Sequence, residues 1–301
     1  MLREAKKHKA DIYIGHNLGA LPTTVKVAKY HKSFCGFDAE DFHRYEMTND
    51  ITDYRYKIAR QLEDKYFGCL NYLTTSSPQT TDAYHRLYSK LQPATILNVF
   101  VPSAGIKIKN ANQDTLKLFW FSQTIGQKRG IEDIAGTLNI LKNEPFELHL
   151  LGQISEAYQQ FIVGKIPPGK VYFHPPIPAD DIINFASQFD IGLALEPGFS
   201  TNNDFALSNK LFTYLQAGLA IIASDTTAQK GFLSKYPDIG STYVKNDPAS
   251  LAYVLSDFNL NRERVYQAGK YALKLGHEKL NWQIESAKLL SLIAEILDAG
   301  E

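Results

Sequence analysis

The chain has 301 residues, 44% of them apolar, which suits two domains with a sizeable core and argues against wholesale disorder. Lys plus Arg equals Asp plus Glu at 32 each, so global charge leaves no footprint for a nucleic acid partner. The cysteines, Cys35 and Cys69, are too few for a disulfide framework, the opening MLREAKKHKADIYIG lacks a signal-peptide core, and no apolar run is long enough for a bilayer. The expected place is a reducing cytoplasm, or a peripheral position at the inner membrane surface.

Short apolar runs alternate with helical periods. The first half predicts a helix at Leu2–Lys9, a strand at Asp11–Gly15, a helix at Leu21–His31 and a strand at Ser33–Phe37. A helix at Tyr54–Asn71, a strand at Tyr72–Thr75, a helix at Pro78–Leu91 and a strand at Thr95–Asn98 follow. Strands joined by helices of this length imply right-handed crossovers and a parallel sheet. Val101–Asp114, rich in small and turn-forming residues, reads as a linker. Beyond it, strands are predicted at Lys117–Phe121, Glu147–Leu151, Val171–His174, Asp190–Leu195, Leu219–Ala223 and Ser241–Val244. Ile131, Ile134, Leu138 and Leu141 mark a buried helix face, another helix opens near Pro178–Ala179, and another carries Leu211, Phe212 and Leu215. Helices at Arg262–Leu275 and Trp282–Leu297 close the chain, the latter with the apolar stripe Ile284, Leu289, Leu292 and Ile296.

The expected fold class is α/β, with two doubly wound Rossmann-type domains. Open parallel sheets bind ligands beyond the carboxyl ends of their strands, and two facing domains make a cleft. The loop Ser122–Gly130 joins a strand to a helix and holds Gly126, Lys128, Arg129 and Gly130. A helix N-terminus with a bidentate guanidinium suits a phosphate, although the same residues fit an ordinary turn with a solvated Lys-Arg pair. The loop Glu196–Lys210 places Asn202, Asn203, Asn209 and Lys210 at the start of a second helix. Lys210 suits a diphosphate as a point charge, while Ser208 or Asn209 also serve as plain caps.

These segments resemble the retaining, GT-B-fold group-1 glycosyltransferases (family 4-like). NKLFTYLQAGLAIIASD is similar to the signature NKLFEYMAAGLPVIASD, and FWFSQTIGQKRGIEDI to the phosphate loop YVGRLxxxKGxxxLI. LHLLGQ, VYFHPPIPADDIINFASQFDIGLALE and LNWQIESAKLL resemble, in order, LxIVGxG, VxFxGxVxxxELxxLYxxADIGLxP and the closing-helix motif YNWEKExxxLL. DIYIGHNLGALPTT and LEDKYFGCLNYLTTSSPQTTDAY match the first-domain motifs DVVHAHDxxALPAA and LExxxxxxADxVITVSxxxxxxL less tightly.

The resemblance implies transfer of a sugar from a nucleotide diphosphate-sugar to an acceptor hydroxyl, with retention, without a metal or other cofactor, in cell-surface glycan or polysaccharide synthesis. It implies catalytic roles for His16, Arg129 and Lys210 and donor contacts from Gln123, Thr124, Gly130, Gly152, Glu196, Asn203, Asn209 and Thr213. The partners implied are the nucleotide-sugar donor and a glycan or lipid-linked acceptor. Residues 1–102 would form the acceptor-side domain, 103–274 the nucleotide-sugar domain, and 275–301 a closing helix packed back on the first.

The chain departs from the family pattern in three ways. Two family glutamates eight positions apart fall on Phe205 and Thr213, with Asp204 and Glu196 nearby but out of register. The arginine of the GR pair is replaced around Gln123-Thr124. Elements that open the first domain have no counterpart before Asp11, so an exposed sheet edge is expected, covered by a protein partner or a missing N-terminal segment, and with it slow turnover. Two alternatives stay open: a weak or inactive nucleotide-sugar-binding subunit, and a GT-B-fold nucleotide-sugar epimerase.

Overall fold

The computed structural model describes residues 1–108 and 114–298, so part of the expected linker, residues 109–113, lies outside the described residues. The first stretch runs α1 (Leu2–Ala5), β1 (Ile12–His16), α2 (Leu21–His31), β2 (Phe34–Ala39), α3 (Tyr54–Tyr66), β3 (Tyr72–Thr75), α4 (Pro78–Leu87) and β4 (Ala94–Thr95). The next runs β5 (Leu116–Thr124), α5 (Ile131–Ile140), β6 (Phe146–Gln153), α6 (Glu156–Val163), β7 (Val171–His174), α7 (Ile182–Ala186) and β8 (Ile191–Ala194). Then come α8 (Thr201–Phe205), α9 (Asn209–Ala217), β9 (Ala220–Ser224), α10 (Thr227–Lys235), β10 (Gly240–Tyr243), α11 (Pro248–Leu260), α12 (Arg262–Glu278) and α13 (Trp282–Asp298). No helix among the described residues is long and apolar enough to cross a membrane.

The chain divides into two compact units. The first comprises Met1–Asn98, Gly198–Leu207 and the segment from Gln283; the second comprises Val99–Pro197 and Ser208–Trp282. This differs from an uninterrupted second domain over 103–274, because the ten-residue excursion 198–207 groups with the first unit. The reason is hydrogen bonding. Asn202 accepts from Phe42 N at 2.7 Å and donates to Asp41 at 2.8 Å, Ser200 donates to the Glu46 carbonyl at 3.0 Å, and Ser77 donates to the Phe205 carbonyl at 2.6 Å. The ring of Phe205 stacks on Phe42.

The first unit holds a four-stranded parallel sheet in the order β1-β2-β3-β4. The shift of β2 to Phe34–Ala39, later than the expected Ser33–Phe37, brings Asp38 into the ladder opposite His16. Its core gathers Leu21, Phe37, Phe67, Leu73 and Tyr84. Buried Glu63 is held there by Arg44 Nε at 2.6 Å and Tyr84 Oη at 3.0 Å, an ion pair whose partners are both desolvated. Within the same unit the Leu97 N–H donates to buried Glu285 of α13 at 2.9 Å.

The second unit holds a six-stranded parallel sheet in the order β10-β9-β8-β5-β6-β7. The order runs outward in both directions from the β5–β8 pair, which makes that pair the topological switch point. Strands buried on both faces read as continuous apolar runs, as LFWF and AIIAS do. At the β6–β7 edge, His149 and His174 share a hydrogen bond of 3.0 Å between Nδ1 and Nε2, and Glu147 lies 3.4 Å from the other His149 nitrogen. Burial pushes the His149 imidazole down to about 4, against the upward pull of Glu147.

Candidate functional site

The carboxyl ends of β5 and β8 lie side by side at the switch point, and the loops after them are the two singled out by sequence. They touch through a glycine. Gly130 has φ +78°, and a Cβ there would lie 2.0 Å from the Leu195 carbonyl oxygen and 2.5 Å from the Leu195 Cβ. A side chain at 130 would therefore push the two loops apart. Gly152 plays the same part between β6 and β5, since its φ is +147° and a Cβ would stand 2.1 Å from the Ser122 carbonyl oxygen. Beside it, Ile125 N–H donates to the Gln153 carbonyl at 2.8 Å, closing the end of β5.

Two helices open at this point with no side-chain cap. The N-cap of α5 is Gly130 itself, and the N-cap of α9 is Ser208, whose hydroxyl does not bond its own helix. In the same unit, α6, α10 and α11 are capped by Ser155, Thr226 and Asp247, each accepting from its own first turn, whereas α7 and α12, like α5 and α9, have no side-chain cap. The cap residues of α5 and α9 thus offer no side-chain oxygen to the first-turn N–H groups, and the positive ends of the two helix dipoles lie at these loops.

Ser208 Oγ donates instead to Glu196 Oε1 at 2.9 Å, and Lys210 Nζ reaches the same oxygen at 2.9 Å. Lys210 is 13% exposed and Glu196 20%, and the ammonium sits 5.3 Å above the Trp120 ring centroid. The lysine is thus charge-compensated by a half-buried carboxylate rather than by water alone. Glu196 is fixed in turn, because Ser224 Oγ donates to its carbonyl at 2.6 Å. Arg129 is exposed and donates to Ser122 Oγ at 3.2 Å. The first-turn carboxylates of α5 are engaged away from the loop: Glu132 with Tyr158, Asp133 with Tyr243 and Asn246 N–H.

The remaining predicted residues separate into three situations. Gln123, Thr124 and Asn209 are exposed at the strand end and the helix start. Thr213 is only 2% exposed, and its hydroxyl donates back to the Asn209 carbonyl at 3.2 Å. Asn203 belongs to the first unit, where its side chain accepts from Gly198 N at 2.6 Å and closes the turn into α8.

His16 ends β1 in the first unit and is exposed, with Nδ1 3.2 Å from Asp38 Oδ2. Asp38 and Glu40 escape the sequence reading, yet one ligand-type atom each from His16, Asp38 and Glu40 lies within 4.8 Å of the others. The signal available in sequence was the position of Asp38 at the end of the strand after His16; what was missing was the register that pairs them.

No protein-family model matches the chain, and no curated protein does. Solved structures do. A sucrose-phosphate synthase from Thermosynechococcus elongatus aligns with TM-score 0.77 at 13% identity, over 99% of this chain and 76% of that one. Anabaena HepE in complex with UDP aligns with TM-score 0.75 at 11% identity, over 98% and 80%. TarM, known from S. aureus, aligns with TM-score 0.73 at 14% identity, and the chain spans 57% of its length. These neighbours are GT-B glycosyltransferases, and at such identities the likeness establishes the fold. The fold is of the GT-B type.

Proposed function

We propose that the protein transfers a sugar from a nucleotide diphosphate-sugar to an acceptor hydroxyl. The observation that carries this reading is the convergence beside the switch point of two loops that lead into helices without a side-chain cap: Gly130, the N-cap of α5, lies against Leu195, and the adjacent Glu196 takes Ser208 and Lys210 from the start of α9. A leaving diphosphate gains negative charge as the glycosidic bond breaks, and preorganised donors and cations stabilise that charge. Neighbours of the same fold were solved with UDP, UDP and glucose, or UDP-glucose, which supports this class of donor.

In this reading Arg129, Lys210 and the N–H groups of α5 and α9 hold the diphosphate. Gly130 and Gly152 let the loops close, and Gln123, Thr124 and Asn209 reach the nucleoside or sugar. Glu196 holds Lys210 until the donor arrives. Thr213 contacts the ribose only if its helix bond to Asn209 is exchanged, and Asn203 acts by shaping the turn at Gly198. His16 serves the acceptor, a glycan or a lipid-linked sugar. Transfer is proposed to be retaining and independent of a metal ion, in glycan or polysaccharide synthesis.

The test is incubation with a panel of nucleotide diphosphate-sugars and glycan or lipid-linked acceptors, with and without EDTA, followed by mass and anomeric analysis. An α-linked product from an α-linked donor in EDTA supports the reading. Donor epimerisation without transfer, or no binding of any nucleotide diphosphate, contradicts it.

A further inference from the structure

His16, Asp38 and Thr74 form a row across three neighbouring strands. His16 pairs in register with Asp38, and Asp38 with Thr74, so the three residues share one face at the carboxyl end of the first sheet. The row is hydrogen-bonded along its length. Thr74 Oγ1, on a residue 2% exposed, donates to Asp38 Oδ1 at 2.9 Å, and the other carboxylate oxygen lies 3.2 Å from His16 Nδ1. Two strand registers and one buried hydroxyl therefore set where the Asp38 carboxylate points. The imidazole itself is open to solvent, 62% exposed at the side chain.

A carboxylate only accepts, so the neutral imidazole meets Asp38 with a proton on Nδ1. The other nitrogen, Nε2, then carries a lone pair. The bond made by one ring nitrogen decides the state of the other. Glu40 also brings a carboxylate oxygen within 4.8 Å of the ring and of Asp38. Its carbonyl accepts from Ser76 Oγ at 2.7 Å, which anchors the backbone at the strand end.

We propose that Asp38 is a positioning residue for His16: held by Thr74, it fixes the Nδ1–H tautomer and presents Nε2 as a hydrogen-bond acceptor for a substrate hydroxyl. This rests on the transferase reading for the identity of that hydroxyl, but the tautomer follows from this chain's geometry alone. No step requires His16 to leave the neutral form, and the role is orientation of the O–H group.

The experiment has two readouts on the full chain. Long-range ¹H–¹⁵N correlation spectra of histidine-labelled protein report the tautomer of each of the 8 histidines, and loss of one set of peaks in His16→Gln assigns His16. The expected result is Nδ1–H in the parent chain, a shift toward Nε2–H in Asp38→Ala, and an intermediate population in Thr74→Val, with melting temperatures confirming that each variant folds. In transfer assays Asp38→Ala is expected to lower kcat about 10- to 100-fold while the donor KM changes less than about twofold.

A His16 that keeps its tautomer when Asp38 is removed overturns the proposal. So does transfer that requires added Mn²⁺ or Mg²⁺ and is abolished alike by His16→Gln, Asp38→Ala and Glu40→Ala, which assigns the same three side chains to a cation. If the tautomer follows Asp38 but no donor sugar is ever transferred, the positioning row stands and the transferase reading falls.

Discussion

The two sheets finish differently at their carboxyl ends. In the first unit the candidate groups are side chains: His16, Asp38 and Thr74 stand in a row on adjacent strands. In the second they are largely backbone: glycines at 130 and 152 let loops touch, and two helix starts beside them carry no side-chain cap. A side-chain row can be altered one group at a time with little effect on folding. A backbone arrangement cannot, because the atoms that would bind an anion are also those that hold the loops together.

The largest expected effect follows from that contrast. Gly130→Ala combines a strained φ with a Cβ 2.0 Å from a carbonyl oxygen, so it should destabilise the fold by at least about 2 kcal/mol. Thermal unfolding measures this. Asp38→Ala, its counterpart in the first unit, should change the melting temperature far less; equal losses would erase the distinction.

The second effect is on pH dependence. His149 is 8% exposed and titrates at about 4 in the fold, against about 6.5 in an unfolded chain. Burial holds His174 below its usual value as well. The unfolded state therefore takes up protons first. Stability is complete above pH 6.5 and is lost as pH falls toward 4, by on the order of 2–3 kcal/mol. Denaturant titrations from pH 7.5 to 4 should show this slope, and His149→Gln should flatten it. An unchanged slope in the variant would assign the acid sensitivity to carboxylates held below their usual range, such as Glu46 with its His43 hydrogen bond.

A smaller effect is expected at Thr213. Its hydroxyl is buried and bonded within α9, so Thr213→Val should cost roughly 0.5–1.5 kcal/mol of stability. If Thr213 also reached a ribose, nucleoside affinity would fall in the same variant, and isothermal calorimetry separates the two.

The second sheet was largely legible because its strands are short continuous apolar runs set between turn residues; Val171–His174 is placed to the residue. The helix at Pro248–Leu260 goes unread, although Asp247 followed by Pro248 is a start signal: Asp247 caps Ala249 and Ser250 N–H groups. Glu156–Val163 and Thr227–Lys235 are likewise missing from the reading, both opening on single capping hydroxyls. Thr201–Phe205 could not be read locally at all. It is five residues long, and its anchors at Asp41, Phe42 and Glu46 are more than 150 positions away. The same limit applies at the site. Arg129, Gly130 and Lys210 stand out because local patterns mark helix starts, whereas Asp38 becomes visible only when the register places it beside His16. The carboxylate that compensates Lys210 was legible as a residue but not as a partner, since a 2.9 Å contact across a fourteen-residue loop leaves no trace in periodicity.

The most direct test of the central claim is calorimetry of a nucleoside, its monophosphate and its diphosphate against the parent chain, Arg129→Ala and Lys210→Ala. Affinity should rise with the number of phosphates in the parent. Each substitution should cost roughly 1.5–3 kcal/mol for the diphosphate, about 10- to 150-fold in Kd, and leave the nucleoside almost unchanged. Equal losses for nucleoside and diphosphate, or a diphosphate affinity indifferent to both residues, would contradict an anion site at the β5–β8 switch point.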